Sequence, residues 1–491
     1  MASTAFGRSA TGDFFAVLVA ATLAATLAAG CAVQPPATPP QADSAAGPAE
    51  PATGADSPLP TPIPAPAVIS LESSRGDLRP PPSPAPAVPE TAVPAAAAAP
   101  SAAAAPSAAA APPAAAAPPP ILPFDEAVLS AAVALFGGVD MQRVAASRSG
   151  ADRIPLVIDP LIDGNSGVQS TATATIRQRV VRLVAERFPR FDLQPFSTVA
   201  LARGPMLFIG TLTAVDADGK GDGPRAWFRV CLALVDLRTG LIAAKGFARA
   251  RLDGVDTTPN RFFADSPAWV PDPAIQGYVR TCQGTKPGDP IQPAYWDRIV
   301  AAAMIDDATN AYNGGSYAEA LDLYKGALRI GGGDQVRVYN GIYLASLRLG
   351  RRDEAVQAFA RLVDFGLAQK RLGIKFLFRP GSTQFVGDAR VSSPYPLWLG
   401  LISQRADRRA ECLEVSGHTS RSGSEPANER LSLMRAQVIK DRIDELGTGL
   451  GMRTTAIGKG SRENISGLGT DDNRDALDRR VEFRVHDCGA R

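Results

Sequence analysis

The sequence predicts a multidomain fold: an α/β middle domain, a pair of α-helical repeats and a C-terminal α+β sandwich, preceded by a disordered Ala/Pro-rich linker. Three observations support this prediction. The composition changes sharply near residue 122, helical and strand-like apolar patterns alternate between residues 154 and 251, and a helical motif recurs after 35 residues. With 491 residues and roughly 150 residues per domain, the chain can hold two or three folded units.

The first 31 residues have the features of an export signal. Residues 14–29 form an apolar run that is shorter than the about 20 residues that a membrane-spanning helix needs. The run ends in Leu27-Ala28-Ala29-Gly30-Cys31, which resembles a lipoprotein cleavage box. The resemblance implies that residues 1–30 are a signal peptide and that Cys31 carries acyl chains, including palmitate. Ala32, in place of an aspartate, is typical of bacterial lipoproteins that are sent to the outer membrane.

The segment 31–122 consists almost entirely of Ala and Pro with some Ser. It offers little large apolar surface to bury, and each proline removes a backbone hydrogen-bond donor. We therefore expect a disordered linker rather than a domain. At up to about 3.1 Å per residue, such a proline-rich segment can span well over about 200 Å, and we expect it to act as a passive spacer.

Residues 123–290 are expected to form the α/β domain. Apolar residues between 176 and 188 fall on one face of a helix. Three strand-like runs follow, at 206–215, 226–237 and 241–249. An acidic glycine-rich loop joins the first run to the second, and a tight turn joins the second to the third. This arrangement, with the turn sequence at 234–242, resembles the domain of penicillin-binding-protein activator and curli-secretion lipoproteins.

The acidic loop at 216–223 has the alternating carboxylates and glycines of a calcium loop. In a calcium loop that begins at Asp216, however, the fifth position needs an oxygen ligand and the twelfth needs a glutamate. These positions are Lys220 and Trp227. We therefore expect a solvated hairpin loop, and we predict neither a metal nor a cofactor for this protein.

Residues 295–370 are predicted to be helical and internally repeated. The segment 315–324 aligns with the segment 350–359, and the pair resembles two tetratricopeptide repeats, whose period is about 34 residues. The glycine run at 331–333 can absorb the extra residue. Such a unit either provides a docking groove for a protein partner or serves as a structural spacer, and the sequence leaves both alternatives open.

Three spaced motifs lie in the segment 371–491: Gly417-His418-Thr419, residues 428–436 and residues 477–483. Together they resemble an OmpA-like, peptidoglycan-associated domain. The resemblance implies non-covalent binding to the peptide stem of peptidoglycan. The expected elements are strands at 374–378, 412–415, 453–457 and 480–485 and helices at 395–406 and 429–446, with Asn428 as the cap of the second helix.

The ligand chemistry indicates which side chains the site needs. A diaminopimelate stem offers carboxylates and an ammonium group, so its receptor needs a planar guanidinium and a carboxylate. By resemblance, Arg435 provides the guanidinium. The remaining expected site residues shape or border the site: Ser420, Asn428, Leu431 and Arg480.

The chain departs from the family pattern at two of its positions. Ser420 stands where the family usually has an aspartate, and Asp478 stands where an asparagine is common. Losing the charged partner of the ammonium group could cost about 1–3 kcal/mol. This loss is avoided if Glu425, Asp471 or Asp472 replaces the missing carboxylate.

The cysteine count is compatible with an oxidising compartment. Apart from Cys31, the chain has four cysteines, which allow three sets of pairings. We favour disulfides between Cys231 and Cys282 and between Cys412 and Cys488. The second pair would lie at the same edge of two antiparallel strands.

Composition and motifs exclude several function classes. The formal net charge is +2, with no dense basic run, so we expect no binding to nucleic acid. The chain has two histidines, neither in a recognisable catalytic or metal-binding arrangement, so we expect no enzyme. The expected function is that of an outer-membrane lipoprotein that faces the periplasm and tethers the envelope to peptidoglycan. The alternative is a periplasmic scaffold or regulator of a cell-wall synthase or envelope assembly, which binds a protein through the repeats or the α/β domain.

Overall fold

The structure, a computed structural model, describes residues 118–146, 148, 153–221, 223–269, 271–486 and 488. These residues all belong to one compact unit, residues 109–491. The predicted signal peptide, Cys31 and nearly all of the predicted linker lie outside the described residues. Within the described ranges, no helix is long and apolar enough to cross a membrane.

The α/β domain is built on a seven-stranded mixed sheet with the strand order β1-β7-β6-β5-β2-β4, and β3 pairs with β5. The three long strands form the predicted antiparallel meander, and every residue of β5 is buried because both faces of the sheet are covered. The strands are β1 (Ile121–Leu122), β2 (Ile154–Ile158), β3 (Ile162–Asp163), β4 (Phe191–Leu193), β5 (Met206–Val215), β6 (Trp227–Asp236) and β7 (Leu241–Ala250). Strand β1 falls at the end of the range expected to be linker, and it pairs in parallel with β7.

Helices cover both faces of this sheet. The predicted helix near residues 176–188 is α3 (Thr171–Arg187), which begins with a capping box made by Ser170 and Thr173. It packs with α1 (Phe124–Gly137) on one face, and the later helices α6 (Pro273–Gln283), α7 (Pro293–Trp296) and α8 (Ile299–Asn313) cover the other. The remaining helices of this part are α2 (Met141–Ala146), α4 (Thr198–Leu201) and α5 (Arg261–Asp265).

The internally repeated segment forms four helices that pack side by side. They are α8 (Ile299–Asn313), α9 (Tyr317–Leu328), α10 (Val336–Arg348) and α11 (Arg352–Ala368). The aligned segments correspond to the starts of α9 and α11. Gly315 and Gly350, which are equivalent in the alignment, both have a positive φ, so each tight turn needs a glycine for the same backbone reason.

The C-terminal domain has a four-stranded mixed sheet with the order β10-β9-β11-β8. Strand β11 is antiparallel to both neighbours, whereas β9 and β10 are parallel. The elements are β8 (Arg371–Ile374), α12 (Ala389–Ser392), α13 (Tyr395–Arg408), β9 (Cys412–Gly417), α14 (Glu425–Glu445), β10 (Thr454–Gly458) and β11 (Val481–His486), with 3₁₀ turns at Leu450–Arg453 and Asn473–Asp475. Helices α13 and α14 share a core with β9 and β11, which is the predicted α+β arrangement.

Two local predictions for this domain were wrong. The first strand lies at Arg371–Ile374 rather than at 374–378. The long helix begins at Glu425, so its N-cap residue is Ser424 and Asn428 lies inside the helix. Pro426 in the first turn explains the earlier start, because a proline is well accommodated there and lacks only an N–H that would be unpaired in any case.

The C-terminal domain and the helical repeats share one hydrophobic core. Trp398 on α13 stacks on Phe359 of α11 with ring centroids 5.3 Å apart. Its Nε1 donates a hydrogen bond of 2.9 Å to the hydroxyl of Tyr343 on α10. The helices therefore cover an apolar surface that the C-terminal domain would otherwise expose.

One of the two predicted disulfides is present. Cys412 and Cys488 are joined, with Cα atoms 5.2 Å apart. Cys231 and Cys282 are adjacent and buried, but they are free cysteines whose sulfur atoms lie 2.9 Å apart. The prediction for Cys231 and Cys282 is thus correct in placing the two residues side by side and wrong about the covalent bond.

Candidate functional site

Helix α14 carries Arg435 into the domain rather than out to solvent. Ser432, Arg435, Ala436 and Ile439 are all buried, and their spacing of three and four residues places them on one helix face. The guanidinium of Arg435 thus lies on the helix face that packs on the sheet, and only 2% of this residue is exposed. A buried cation needs compensating contacts.

The contacts of Arg435 come from the segment that follows β8. Its Nε donates to the carbonyl oxygen of Ser382 at 3.1 Å, and its Nη2 donates to the carbonyl oxygen of Arg379 at 3.2 Å. The guanidinium also lies 5.1 Å from the ring centroid of Phe378. Neither hydrogen bond uses Nη1, and the guanidinium forms no ion pair with any residue that the structure describes.

The environment lowers the pKa of Arg435 to about 10. Burial is the main cause, the charge of Arg479 acts in the same direction, and the carboxylate of Asp471 opposes both. Arg435 is therefore charged at neutral pH. Asp471 and Arg479 are close enough to act on its charge although neither forms an ion pair with it.

Asp471 brings a carboxylate to Ser420. Its Oδ1 accepts hydrogen bonds of 2.8 Å from the hydroxyl of Ser420 and of 2.8 Å from Nη1 of Arg479. No other hydrogen bond of its side chain is formed within the described ranges, and the side chain is 35% exposed. Of the three carboxylates considered from the sequence, the structure brings Asp471 to Ser420.

A buried aspartate positions the loop that holds Asp471. Asp475 accepts hydrogen bonds from the backbone N–H groups of Leu468, Thr470 and Asp471, at 3.3, 2.6 and 3.0 Å. Asp471 itself has a φ of 56°, in the left-handed region that non-glycine residues rarely adopt. The loop is thus held in a strained conformation that is typical of functional positions.

Asp478 has a structural role. Its carboxylate accepts hydrogen bonds from three successive backbone N–H groups, those of Ile465, Ser466 and Gly467, at 2.6, 3.0 and 2.7 Å. Burial raises its pKa, whereas these hydrogen bonds act in the opposite direction. Asp478 therefore supplies a carboxylate that fixes a neighbouring loop.

The other candidate residues differ in their relation to the site. Asn428 is buried on the same helix, and its Nδ2 has no hydrogen-bond partner within the described part of the chain. Leu431 is half-buried. Glu425 instead accepts hydrogen bonds from Ser461, and Asp472 pairs with Arg474. Neither of these two carboxylates is used to complete the Ser420 position.

Arg480 shares no hydrogen-bond partner with Arg435 among the described residues. Its Nε donates to Glu482 at 2.7 Å, its Nη2 donates to the carbonyl oxygen of Glu463 at 3.2 Å, and its guanidinium lies 5.4 Å from the ring centroid of Trp269. The residue preceding it, Arg479, is the one at the site. Because alternate residues next to a strand point to opposite faces, two adjacent arginines separate in this way.

His418 is buried and uncharged. Burial and then the charge of Arg480 lower its pKa to about 2. Neither ring nitrogen has a hydrogen-bond partner within the described ranges. A histidine in this state cannot act as a proton donor at neutral pH.

The site thus contains a buried guanidinium and, within electrostatic range of it, a partly exposed carboxylate. Arg435 can bind an acidic group through planar, bidentate hydrogen bonds, and Asp471 can accept hydrogen bonds from an ammonium group. Sequence reasoning found Arg435 but did not select Asp471 or Arg479, because both come from a loop with no regular spacing relative to α14.

Comparison with known proteins gives partial similarities only. No family model matches the chain, and no curated protein matches it. Among solved structures, the peptidoglycan-associated lipoprotein from Burkholderia pseudomallei is 21% identical, and the match covers 24% of this chain and 92% of that chain at a TM-score of 0.21. The OmpA-like domain of FopA1 from Francisella tularensis is 18% identical over 24% of this chain and 75% of that chain, with a TM-score of 0.19. The cell wall anchor of the T6SS from Pseudomonas aeruginosa is 25% identical over 26% of this chain and 95% of that chain, with a TM-score of 0.20.

Proposed function

We propose that the C-terminal domain binds peptidoglycan non-covalently, with Arg435 as the receptor for a carboxylate and Asp471 as the receptor for an ammonium group. The observation that carries the proposal is a buried guanidinium without a carboxylate partner among the described residues, within electrostatic range of the partly exposed carboxylate of Asp471. Burying an unpaired charge is unfavourable, so a site of this kind is stabilised when a ligand supplies the missing partner.

The chemistry of the pair selects a zwitterionic ligand. The side chain of diaminopimelate in a peptide stem ends in a carbon that carries both an ammonium and a carboxylate group. A guanidinium binds the carboxylate with two parallel hydrogen bonds, and an exposed carboxylate oxygen accepts a hydrogen bond from the ammonium. A ligand with only one of these charges leaves half of the pair unused.

The proposal assigns a new role to Ser420. Its hydroxyl does not replace the family's carboxylate but donates to Asp471, which supplies the charge from another loop. Arg479 fixes the same carboxylate oxygen from the other side. The loss of affinity expected from the Ser420 substitution is then avoided.

The remaining parts of the proposal concern location. Lipidation at Cys31 would anchor the chain in the outer membrane, at roughly 0.8 kcal/mol per buried methylene, and the Ala/Pro-rich segment would span the distance to the wall. The protein would face the periplasm and tether the envelope without catalysing a reaction.

The experiment compares two adjacent aspartates. The fragment 109–491, which is one compact unit, is incubated with purified sacculi, and the bound fraction is measured by sedimentation. Asp471→Asn should weaken binding about tenfold, because it removes the charge and keeps the shape. The matched control Asp472→Asn should bind like the wild type. Equal binding by the wild type and Asp471→Asn would contradict the assignment of Asp471, and no binding by the wild type would contradict the proposed function.

A second candidate function, a periplasmic scaffold, is favoured by a groove of about 290 Å³ between α9, α10 and α11. Lys325, Arg329 and Arg361 line it, and Lys325 is paired with Glu354. An acidic segment of a protein partner fits this charge. A photo-crosslinker at Gln357, which also lines the groove, should give a discrete product in cells. The absence of that product, or the same product from a crosslinker at the exposed Arg187, would contradict this function.

A further inference from the structure

A cleft of about 520 Å³ lies between the α/β domain and the C-terminal domain. We call it the inter-domain cleft: it is bounded by α6 and Trp269 on one side and by β8, the segment 462–465 and Arg480 on the other. Its volume is within the range of about 300–1,000 Å³ that is usual for sites of small ligands, and such sites are frequent at domain interfaces.

Arginines from four separate parts of the chain converge on this cleft. They are Arg280 of α6, Arg371 of β8, Arg462 and Arg480. Among the described residues that line the cleft, Glu463 has the only carboxylate, and it already pairs with Arg484 at 2.7 Å. The wall therefore has a positive excess, which attracts and concentrates anions.

The buried carboxylate of Glu482 is fully paired with arginines. Glu482 accepts hydrogen bonds from Arg371 at 3.1 and 3.0 Å and from Arg480 at 2.7 Å. Burial alone would raise its pKa, but the charges of Arg480 and Arg371 lower the pKa below its usual value. One carboxylate thus serves two guanidinium groups at the cleft, and Arg280 has no ion pair with any described residue.

Polar atoms without partners are concentrated in the same wall. Nη1 of Arg480, Nε1 of Trp269 and Oδ1 of Asn464 are buried and have no hydrogen-bond partner within the described ranges. An unpaired buried polar atom is energetically unfavourable. These atoms lie beneath the accessible wall of the cleft.

The apolar part of the wall limits the ligand further. Ile275 and Val279 of α6, together with Ile465, line the cleft beside the arginines. We infer that the inter-domain cleft binds a small organic ligand that carries an oxyanion group, a carboxylate or a phosphate, on a body about the size of a monosaccharide. This site is separate from Arg435 and does not depend on the proposed function.

The test follows the indole resonance of Trp269 in the fragment 109–491. The chain has four tryptophans, so a spectrum of ¹⁵N-indole-labelled protein has few signals, and Trp269→Phe identifies the relevant one. The probes are N-acetylmuramic acid for the carboxylate, glycerol 3-phosphate for the phosphate and N-acetylglucosamine as the neutral control. Either anion should shift the Trp269 resonance saturably, because it draws Arg371 and Arg480 away from the indole ring.

Variants separate the site from general charge effects. Arg280→Gln should raise the Kd of the responding anion about three- to tenfold. The matched control is Arg187→Gln. Both substitutions remove an exposed arginine from the last turn of a helix, α3 for Arg187 and α6 for Arg280. Arg187→Gln should leave the Kd unchanged.

Three results would overturn the inference. In the first, neither anion shifts the Trp269 resonance. In the second, N-acetylglucosamine shifts it as strongly as N-acetylmuramic acid does. In the third, Arg187→Gln weakens binding as much as Arg280→Gln, which would show a general effect of net charge.

Discussion

Replacing Arg435 by methionine tests the central element of the site. The substitution keeps an unbranched apolar side chain on the buried face of α14 and removes the charge. It also removes the hydrogen bonds to the carbonyl oxygens of Ser382 and Arg379 and the contact with Phe378. If the guanidinium serves ligand binding, the loss should fall on affinity rather than on folding.

The expected magnitudes follow from these contacts. A charge-assisted hydrogen-bonded pair with a ligand carboxylate contributes about 1.5–3 kcal/mol, so affinity for the wall should fall roughly 10- to 100-fold. For folding, two hydrogen bonds and a cation–π contact are lost, while the cost of burying an unpaired charge disappears. These effects oppose each other, and the free energy of unfolding should change by less than about 2 kcal/mol.

The assay measures both quantities on the fragment 109–491. Sedimentation with sacculi gives the affinity, free diaminopimelate serves as a competitor, and denaturant unfolding gives the stability. Arg442→Met is the matched control, since Arg442 lies on the same helix but is exposed. Unchanged affinity in a folded Arg435→Met variant would refute the assignment. A large loss of stability with unchanged competition by diaminopimelate would show that Arg435 is a structural residue.

Three further predictions concern folding. Replacing Cys412 and Cys488 by serine opens a loop of 76 residues and should lower the free energy of unfolding by about 4 kcal/mol. A denaturant midpoint equal to that of the wild type would contradict this value. Between pH 6.5 and 2 the unfolded state takes up a proton that buried His418 cannot accept, so the free energy of unfolding should fall on acidification. In His418→Phe this dependence on pH should be weaker, as measured by unfolding at several pH values. Trp398→Ala should destabilise the fragment 109–491 by about 3–5 kcal/mol, and the isolated segment 371–491 should melt at a lower temperature than the longer fragment; equal melting temperatures would show that the shared core contributes little.

The elements that were predicted correctly are those with a strong local pattern. The meander of β5, β6 and β7 has long β-branched and aromatic runs separated by turn residues, and the apolar positions of α3 recur at helical spacing. The start of α14 was placed too late, because Asn428 is as suitable a cap by composition as Ser424. Side-chain chemistry alone cannot decide between two good caps that lie four residues apart.

The candidate site was predicted in half. Arg435 could be found because it belongs to a spaced motif on one helix. Its partner Asp471 could be named only as one of three alternatives, since the contact with Ser420 joins residues separated by 51 positions. The motif contains two adjacent arginines, and only the direction of the strand that follows them decides that Arg479, rather than Arg480, contacts Asp471.

By itself, the amino-acid sequence determined the order of the folded units, the helical and strand periods and the residue types available for binding a charged ligand. These properties depend on neighbours within a few positions of the chain. Only the tertiary structure decided which charges meet, that the repeats and the C-terminal domain share a core, and that arginines from four segments surround one cleft. Such meetings depend on how distant segments pack, and packing energy is set by complementary surfaces that no local pattern encodes.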